Sequence, residues 1–373
     1  MNIPVIESVN PACQRIFGYT QEEMLGRKVN MLMPSPYAEQ HDGYIQTYLE
    51  TGVPRIIGIG RELEALRKNG TTFPMELTVS EVRQDSRRHF MSIIRDVTER
   101  QAAENALRQA FSDLESKQRR LDEDLKAAAK IQESLLPSQP PSDPRIRVSW
   151  VFHPSQRIGG DIFDVVQLDE DRYAFILVDV SGHGVPSALV AVSVSQALDR
   201  DRLLESLPEH SQPAAPIQPA ALLRRLDQEF PLERFNKYFT MFYLVLDLRD
   251  GRAAYSAAAH PPPMLLRSGG GHELLDRGGS IIGMGGIVPF EQGVLDLRPG
   301  DRLFMYTDGI TEAEKHHGQM FGQDRLLEQV EALRDRPLEE VADLVHAAVM
   351  AHSDRPDPED DVTLLCLEFL GQG

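Results

Sequence analysis

Cysteine is nearly absent: Cys13 and Cys366 are the only two in 373 residues. Each sits alone in an apolar pattern, which excludes a disulfide framework and implies buried thiols in a reducing compartment. Long apolar runs are missing as well. No stretch approaches the roughly 20 residues that a membrane helix needs, and Met1-Asn2-Ile3-Pro4 has no basic region leading into an apolar one. A soluble, cytoplasmic chain without membrane contact is expected. Positive charge is in deficit, with 39 Lys and Arg against 57 Asp and Glu, a net charge of −18. That excludes nucleic-acid binding through phosphate neutralisation. The acidic residues are scattered, so no acidic tail accounts for them. What is present is ample core material, 41% apolar residues, on a length that calls for two or three domains.

The pattern changes along the chain. Residues 1–98 mix short strands with polar turns: 72–79 alternates with period two, as does part of 89–94, and Asn69-Gly70 marks a hairpin. From 96 to about 136 there is neither Gly nor Pro. Leu107, Leu114, Leu121, Ala128 and Leu135 recur every seven residues, with Phe111 and Leu125 between them. A seam of period 3.5 predicts a left-handed coiled coil, most simply a parallel dimer, and Gln118 and Gln132 on that seam would fix its register. The alternative is one amphipathic helix packed on its own domain. Pro137 and the polar, Pro-rich 138–142 stop it. Residues 145–370 then alternate strands with helices, the helices expected at 186–204, 219–229, 323–333 and 338–351, with a mobile loop over 210–219.

Four aspartates stand in separate turns of this last part: Asp161 after Gly159-Gly160, Asp179 before Val180-Ser181-Gly182-His183-Gly184, Asp308 before Gly309, and Asp360 beside Asp361. Buried strands are expected at 175–178, 303–306 and 362–365, next to three of the four. Carboxylates gathered at strand ends make a hard, oxygen-rich site for Mg²⁺ or Mn²⁺ rather than zinc. Two such ions can activate a water and clamp a phosphoryl group, which points to a hydrolase. Any Asp-Gly taken singly is more often a plain turn.

Six motifs run in order from 131 to 369: Ile131-Gln132-Glu133-Ser134-Leu135-Leu136-Pro137, Gly159-Gly160-Asp161, Asp179 through Gly184, Ala259-His260-Pro261-Pro262, Tyr306 through Glu312, and Asp360-Asp361-Val362-Thr363. Together they resemble the SpoIIE/RsbU-like branch of the PPM-type, metal-dependent Ser/Thr protein phosphatases. The resemblance implies an α-β-β-α sandwich with two Mn²⁺ or Mg²⁺ ions at one end. It makes Asp161, Asp179, Asp308 and Asp360 the catalytic and metal-binding set. Asp179 would bridge both ions, the Val180 carbonyl would contact one, Asp308 and Asp360 would be direct ligands, and Asp161 would reach the second ion. The implied substrate is a phosphoserine protein, typically a STAS-type anti-sigma-factor antagonist. Asp361 is expected behind the ligands or facing solvent, His183 to shape its loop or else to act as a general acid, and His260 to be structural. Two departures stand out. Residues 278–284 lack the proline this branch places before the second glycine, and no arginine is identifiable as a phosphate grip.

Near the start, Asn10-Pro11-Ala12, Phe17-Gly18-Tyr19 and Arg95-Asp96-Val97-Thr98-Glu99 resemble a PAS domain. Met33-Pro34, His41-Asp42-Gly43-Tyr44-Ile45, Ile56 through Glu62 and Gly70 through Met75 are similar to the haem-binding PAS of FixL-type oxygen sensors. That likeness implies haem b with His41 as proximal iron ligand. Arg61 would sit on bound O₂ or a propionate, and Ile56, Leu77 and Val79 would form the apolar distal wall. Thr47 stands where the family often has a propionate-binding arginine. The first PAS strand is expected to be shortened, swapped with a partner, or continued upstream.

The expectation is an α+β multidomain chain: PAS sensor over 1–98, coiled-coil helix over 99–137, phosphatase over 145–370. It would act as a homodimeric gas-sensing phosphatase, with the helix after the Asp179 loop as its switch. Two alternatives stay open. One is a non-catalytic signalling scaffold, and the other is the same phosphatase with a PAS domain holding a flavin, another ligand or none.

Overall fold

In the computed structural model, Asn69-Gly70 turns the chain as its sequence predicts. Gly70 takes φ 83°, Arg67 accepts from Gly70 N–H and donates to Thr71 O, and β1 (Arg61–Leu66) pairs antiparallel with β2 (Thr72–Gln84). The residues described are 5–53, 57–58, 60–84, 87–204, 218–315, 318–353, 355 and 357–371. They divide into two units, Met1–Arg120 and Leu121–Gly373. Ile56 and residues 210–217 of the expected loop lie outside the described residues.

In the first unit β3 (Arg87–Asp96) completes a sheet of order β1-β2-β3. The helices before it start on local signals. Asn10 Oδ1 caps α1 (Pro11–Phe17) by accepting from Cys13 N–H at 2.9 Å, and Thr20 with Glu23 forms a capping box on α2 (Gln21–Met24). A longer helix, α3 (Tyr37–Thr51), ends at left-handed Gly52. Alternation along β2 sends Phe73, Met75 and Leu77 inward, where they pack with Phe17, Met24 and Leu32.

Helix α4 (Thr98–Glu133) runs 36 residues through the division between the units. Its predicted stripe splits. Leu107, Phe111, Leu114 and Leu121 are exposed, whereas Gln132 is buried and Leu135, just past the helix, packs into the second unit's core. The seam therefore does not run on through Leu135, because its last turns lie against their own domain.

The second unit is a sandwich. One sheet has the order β10-β9-β13-β14-β4, from β4 (Ile146–His153), β9 (Met264–Leu266), β10 (His272–Leu274), β13 (Arg302–Tyr306) and β14 (Val362–Phe369). The other runs β11-β8-β7-β6-β5, with β5 (Ile162–Gln167), β6 (Arg172–Val180), β7 (Phe239–Asp247), β8 (Arg252–Ala258) and β11 (Gly278–Gly279), while β12 (Gly293–Asp296) also pairs with β8. Alternate residues of one strand serve two cores. Phe175 and Leu177 face the opposing sheet, and Ile176 and Val178 face a helical layer. Being buried on both sides explains why these strands read as unbroken apolar runs.

The helical layer on β5–β8 comprises α5 (Val185–Ala197), α6 (Arg200–Leu204), α7 (Pro219–Glu229) and α8 (Leu232–Phe235), and α9 (Asp308–Thr311), α10 (Gln323–Ala332) and α11 (Leu338–Ser353) follow β13. The expected helix 186–204 breaks at Leu198, which turns inward to pack with Leu203 in the same core. Cys13 and Cys366 are both free.

Candidate metal centre

Backbone pairing brings the acidic turns to one end of the sandwich. β5 and β6 are antiparallel with Ile162 opposite Val178, so Asp161 and Asp179 emerge side by side. On the other sheet Tyr306 lies opposite Leu364, which puts Asp308 and Asp360 just beyond the same end of β13 and β14. The two pairs feel each other. Burial pushes Asp179 up to about 8, helped by repulsion from Asp308 and Asp360. Burial also raises Asp161 well above the usual carboxylate range, with Asp179 and Asp361 adding to it. Asp308 is raised by burial and then by Glu312, and Asp360 by burial and then by Asp308. Like charges forced together from distant turns favour a strong positive charge among them.

Hydrogen bonds hold the turns. Asp161 Oδ2 accepts from Thr307 Oγ1 at 2.7 Å and from Thr363 Oγ1 at 2.5 Å. Asp361 is 2% exposed, so it does not face solvent. Its Oδ2 accepts from Gly160 N–H at 2.5 Å, and its Oδ1 from the Ser155 amide at 2.7 Å and the Ser155 hydroxyl at 3.0 Å. The turns approach so closely that only glycine fits. A Cβ at Gly160 would stand 2.6 Å from the Val180 carbonyl oxygen, and one at Gly309 would stand 2.1 Å from the Asp361 carbonyl oxygen.

Sequence reasoning did not single out Thr307, Thr363, Glu312 or Lys237 as site residues. Glu312 had a signal, since it lies four residues from Asp308. Lys237 Nζ donates to the Ser181 carbonyl at 2.6 Å and brings a cation onto the Asp179–Gly184 loop. His183, exposed, pairs its Nδ1 with Gln156 and offsets a small part of the upward shift of Asp360. His260 is buried on Thr240, the residue opposite Asp179 in the β6–β7 ladder.

The donors are all oxygen, which fits Mg²⁺ or Mn²⁺. Among the described residues no three His, Cys, Asp or Glu side chains stand together as a ready cage. A hard cation held there would complete its shell with carbonyl oxygens and water beside the carboxylates.

In the first unit the expected haem residues occupy separate elements. Leu77 and Val79 lie on the inner face of β2, and Arg61 opens β1 opposite Leu77 but is exposed. His41 lies on α3, its Nδ1 buried without a hydrogen-bond partner among the described residues. Burial lowers its pKa, leaving the neutral imidazole that ligates metals. These features suit a haem. No helix among the described residues is long and apolar enough to cross a membrane.

Comparison with known proteins agrees with both halves. Residues 2–99 match the family described as PAS domain. The chain is 40% identical over 110 residues to Sensor protein FixL of Bradyrhizobium diazoefficiens, covering 30% of this chain and 22% of that one. It is 28% identical over 194 residues to Phosphoserine phosphatase RsbP of Bacillus subtilis, covering 51% of this chain and 45% of that one. The chain thus spans less than half the length of either relative. The SiaA-PP2C domain of Pseudomonas aeruginosa superposes with a TM-score of 0.56 at 24% identity, over 68% of this chain and 98% of that one, which places the second unit in the PP2C-type phosphatase fold. The family described as Stage II sporulation protein E (SpoIIE) matches residues 169–370, more than half of the sequence, and the chain belongs to that family, with a PAS domain ahead of it.

Proposed function

We propose that this chain is a divalent-metal-dependent phosphatase of phosphoserine proteins, regulated by its PAS domain. The observation that carries the reading is the convergence of Asp161, Asp179, Asp308 and Asp360, from four separate turns, on the end of the sandwich where the β5–β6 and β13–β14 ladders run out and Thr307 and Thr363 bond Asp161. Those carboxylates and the Val180 carbonyl would hold two Mn²⁺ or Mg²⁺ ions. Such ions, when bound, supply Lewis acidity toward a phosphoryl oxygen and a water acidic enough to attack phosphorus. The chain's own groups do the rest. Thr307 and Thr363 orient Asp161 and favour its ionised form. His183, exposed and within electrostatic reach of Asp360, would pass a proton to the departing serine oxygen. Lys237 offers its ammonium on the Asp179–Gly184 loop.

The domains run as PAS over 1–98, signalling helix over 99–137 and phosphatase over 145–370. His41, Arg61, Leu77 and Val79 suit a haem b and a diatomic gas such as O₂. The exposed α4 stripe suits a homodimer, and the substrate class is a phosphorylated STAS-type antagonist. Asp179→Asn is the decisive variant. It is expected to lower Mn²⁺-dependent hydrolysis of p-nitrophenyl phosphate by at least about a hundredfold. Unchanged turnover removes the metal centre from the mechanism, whereas a wild type with no Mn²⁺-dependent turnover leaves a binding scaffold.

A further inference from the structure

Gln132 is the residue of α4 that is buried, at 4% exposure. Its side-chain amide makes two bonds to the backbone of one residue: Nε2 donates to the Gly159 carbonyl at 2.8 Å, and Oε1 accepts from the Gly159 N–H at 3.1 Å. Asparagine and glutamine are the side chains that offer a donor and an acceptor in this fork. Asparagine is one methylene shorter. Glutamate keeps only the acceptor, and methionine keeps the shape with neither.

The gripped residue is two positions from Asp161. Gly159 has no room to move toward its neighbour, since a Cβ there would stand 2.4 Å from Asp361 Oδ2. The Gly159–Asp161 loop is thus held from two sides: by Gln132 through Gly159, and by Asp361 through the Gly160 and Asp161 amides. A second tie from the same helix reaches the same loop, with Asp122 accepting from Arg157 at 3.0 Å. Leu135 and Leu136 lock the helix end into the core.

Resting on the metal-phosphatase reading above, we propose that Gln132 is a positioning residue for the divalent-metal centre. It sets the Gly159–Asp161 loop and, through it, the Asp161 carboxylate. Because the grip comes from the last turn of α4, a displacement of that turn is a displacement of the loop.

The test uses the full chain and the variants Gln132→Met and Gln132→Glu. Mn²⁺ binding is measured by calorimetry, and amide hydrogen exchange is followed at Gly159–Asp161 and at Phe175–Leu177 in β6. Losing a doubly bonded buried amide is expected to weaken Mn²⁺ binding about tenfold and to speed loop exchange by a similar factor, with β6 unchanged. Gln132→Glu moves both readings in the same direction. Wild-type affinity and wild-type loop exchange in both variants overturn the inference. So does a rise of loop and β6 exchange together, which is a general loss of stability. If the wild-type chain binds no Mn²⁺, the phosphatase reading falls instead, and loop exchange alone then decides the role of Gln132.

Discussion

The Asp361 carboxylate accepts the Gly160 amide at 2.5 Å across 201 residues of sequence. This bond ties the start of β14 in one sheet to the start of β5 in the other at the acidic end. The same carboxylate takes three further donors, from Ser155 and from the Asp161 amide. Asp361→Asn turns an acceptor-only group into one whose NH₂ faces backbone N–H groups. Charged, buried hydrogen bonds of this kind contribute about 1.5–3 kcal/mol each, so a loss of roughly 2–4 kcal/mol in urea unfolding is expected. A variant as stable as wild type means the contact network is dispensable.

His260 gives a signed pH dependence. Burial lowers it from 6.5 to about 3, so the native chain refuses a proton that the unfolded chain accepts below pH 6.5. Its contribution is complete above that value and erodes as the pH falls toward 3, by about 2 kcal/mol at pH 5. Unfolding of wild type and His260→Gln at pH 7.5 and 5 measures it. The variant should lose less stability on acidification, and equal losses would place the acid sensitivity elsewhere.

Purified protein reconstituted with haem should show a Soret band that His41→Ala loses, because that substitution removes the buried imidazole offered to iron. Identical spectra for both proteins, or no band in either, take gas sensing out of the account. The PAS domain would then be a module for another ligand or for dimerisation alone.

The stripe on α4 predicts self-association. Leu107 is 72% exposed and Leu114 63%, on a helix otherwise rich in charge. Pairing would cover them, each worth about 1.5–3 kcal/mol when fully buried. Sedimentation should give a dimer for the wild type and a shift toward monomer for Leu107→Asp combined with Leu114→Asp. A monomeric wild type refutes the pairing.

How much of this was legible in the sequence follows from range. The strands around Phe175, Met305 and Leu364 announced themselves because both of their faces are buried, and α7 began where Pro219 said it would. The aspartates were readable because a carboxylate beside a glycine or a second acid near a strand end is a local pattern. The groups that hold them were not. Thr307 and Thr363 reach Asp161 across 146 and 202 residues, and no local spacing marks such a pairing. Gln132 misled for the same reason. Its heptad position placed it on a seam between chains, and only the docked end of α4 turns it toward Gly159. For Asp361 the local pattern left a place behind the ligands and a place facing solvent equally open, and its backbone donors are long-range contacts that exclude the second.

The antiparallel ladder of β5 and β6 has one more consequence. Since Asp161 and Asp179 leave it one step beyond Ile162 and Val178, their spacing is a property of main-chain registration, not of the side chains between. Apolar exchanges at Phe163 or Phe175 should therefore change melting temperature while leaving the pair's separation alone. A single inserted residue inside either strand would instead swing one acid to the reverse face of the pleat.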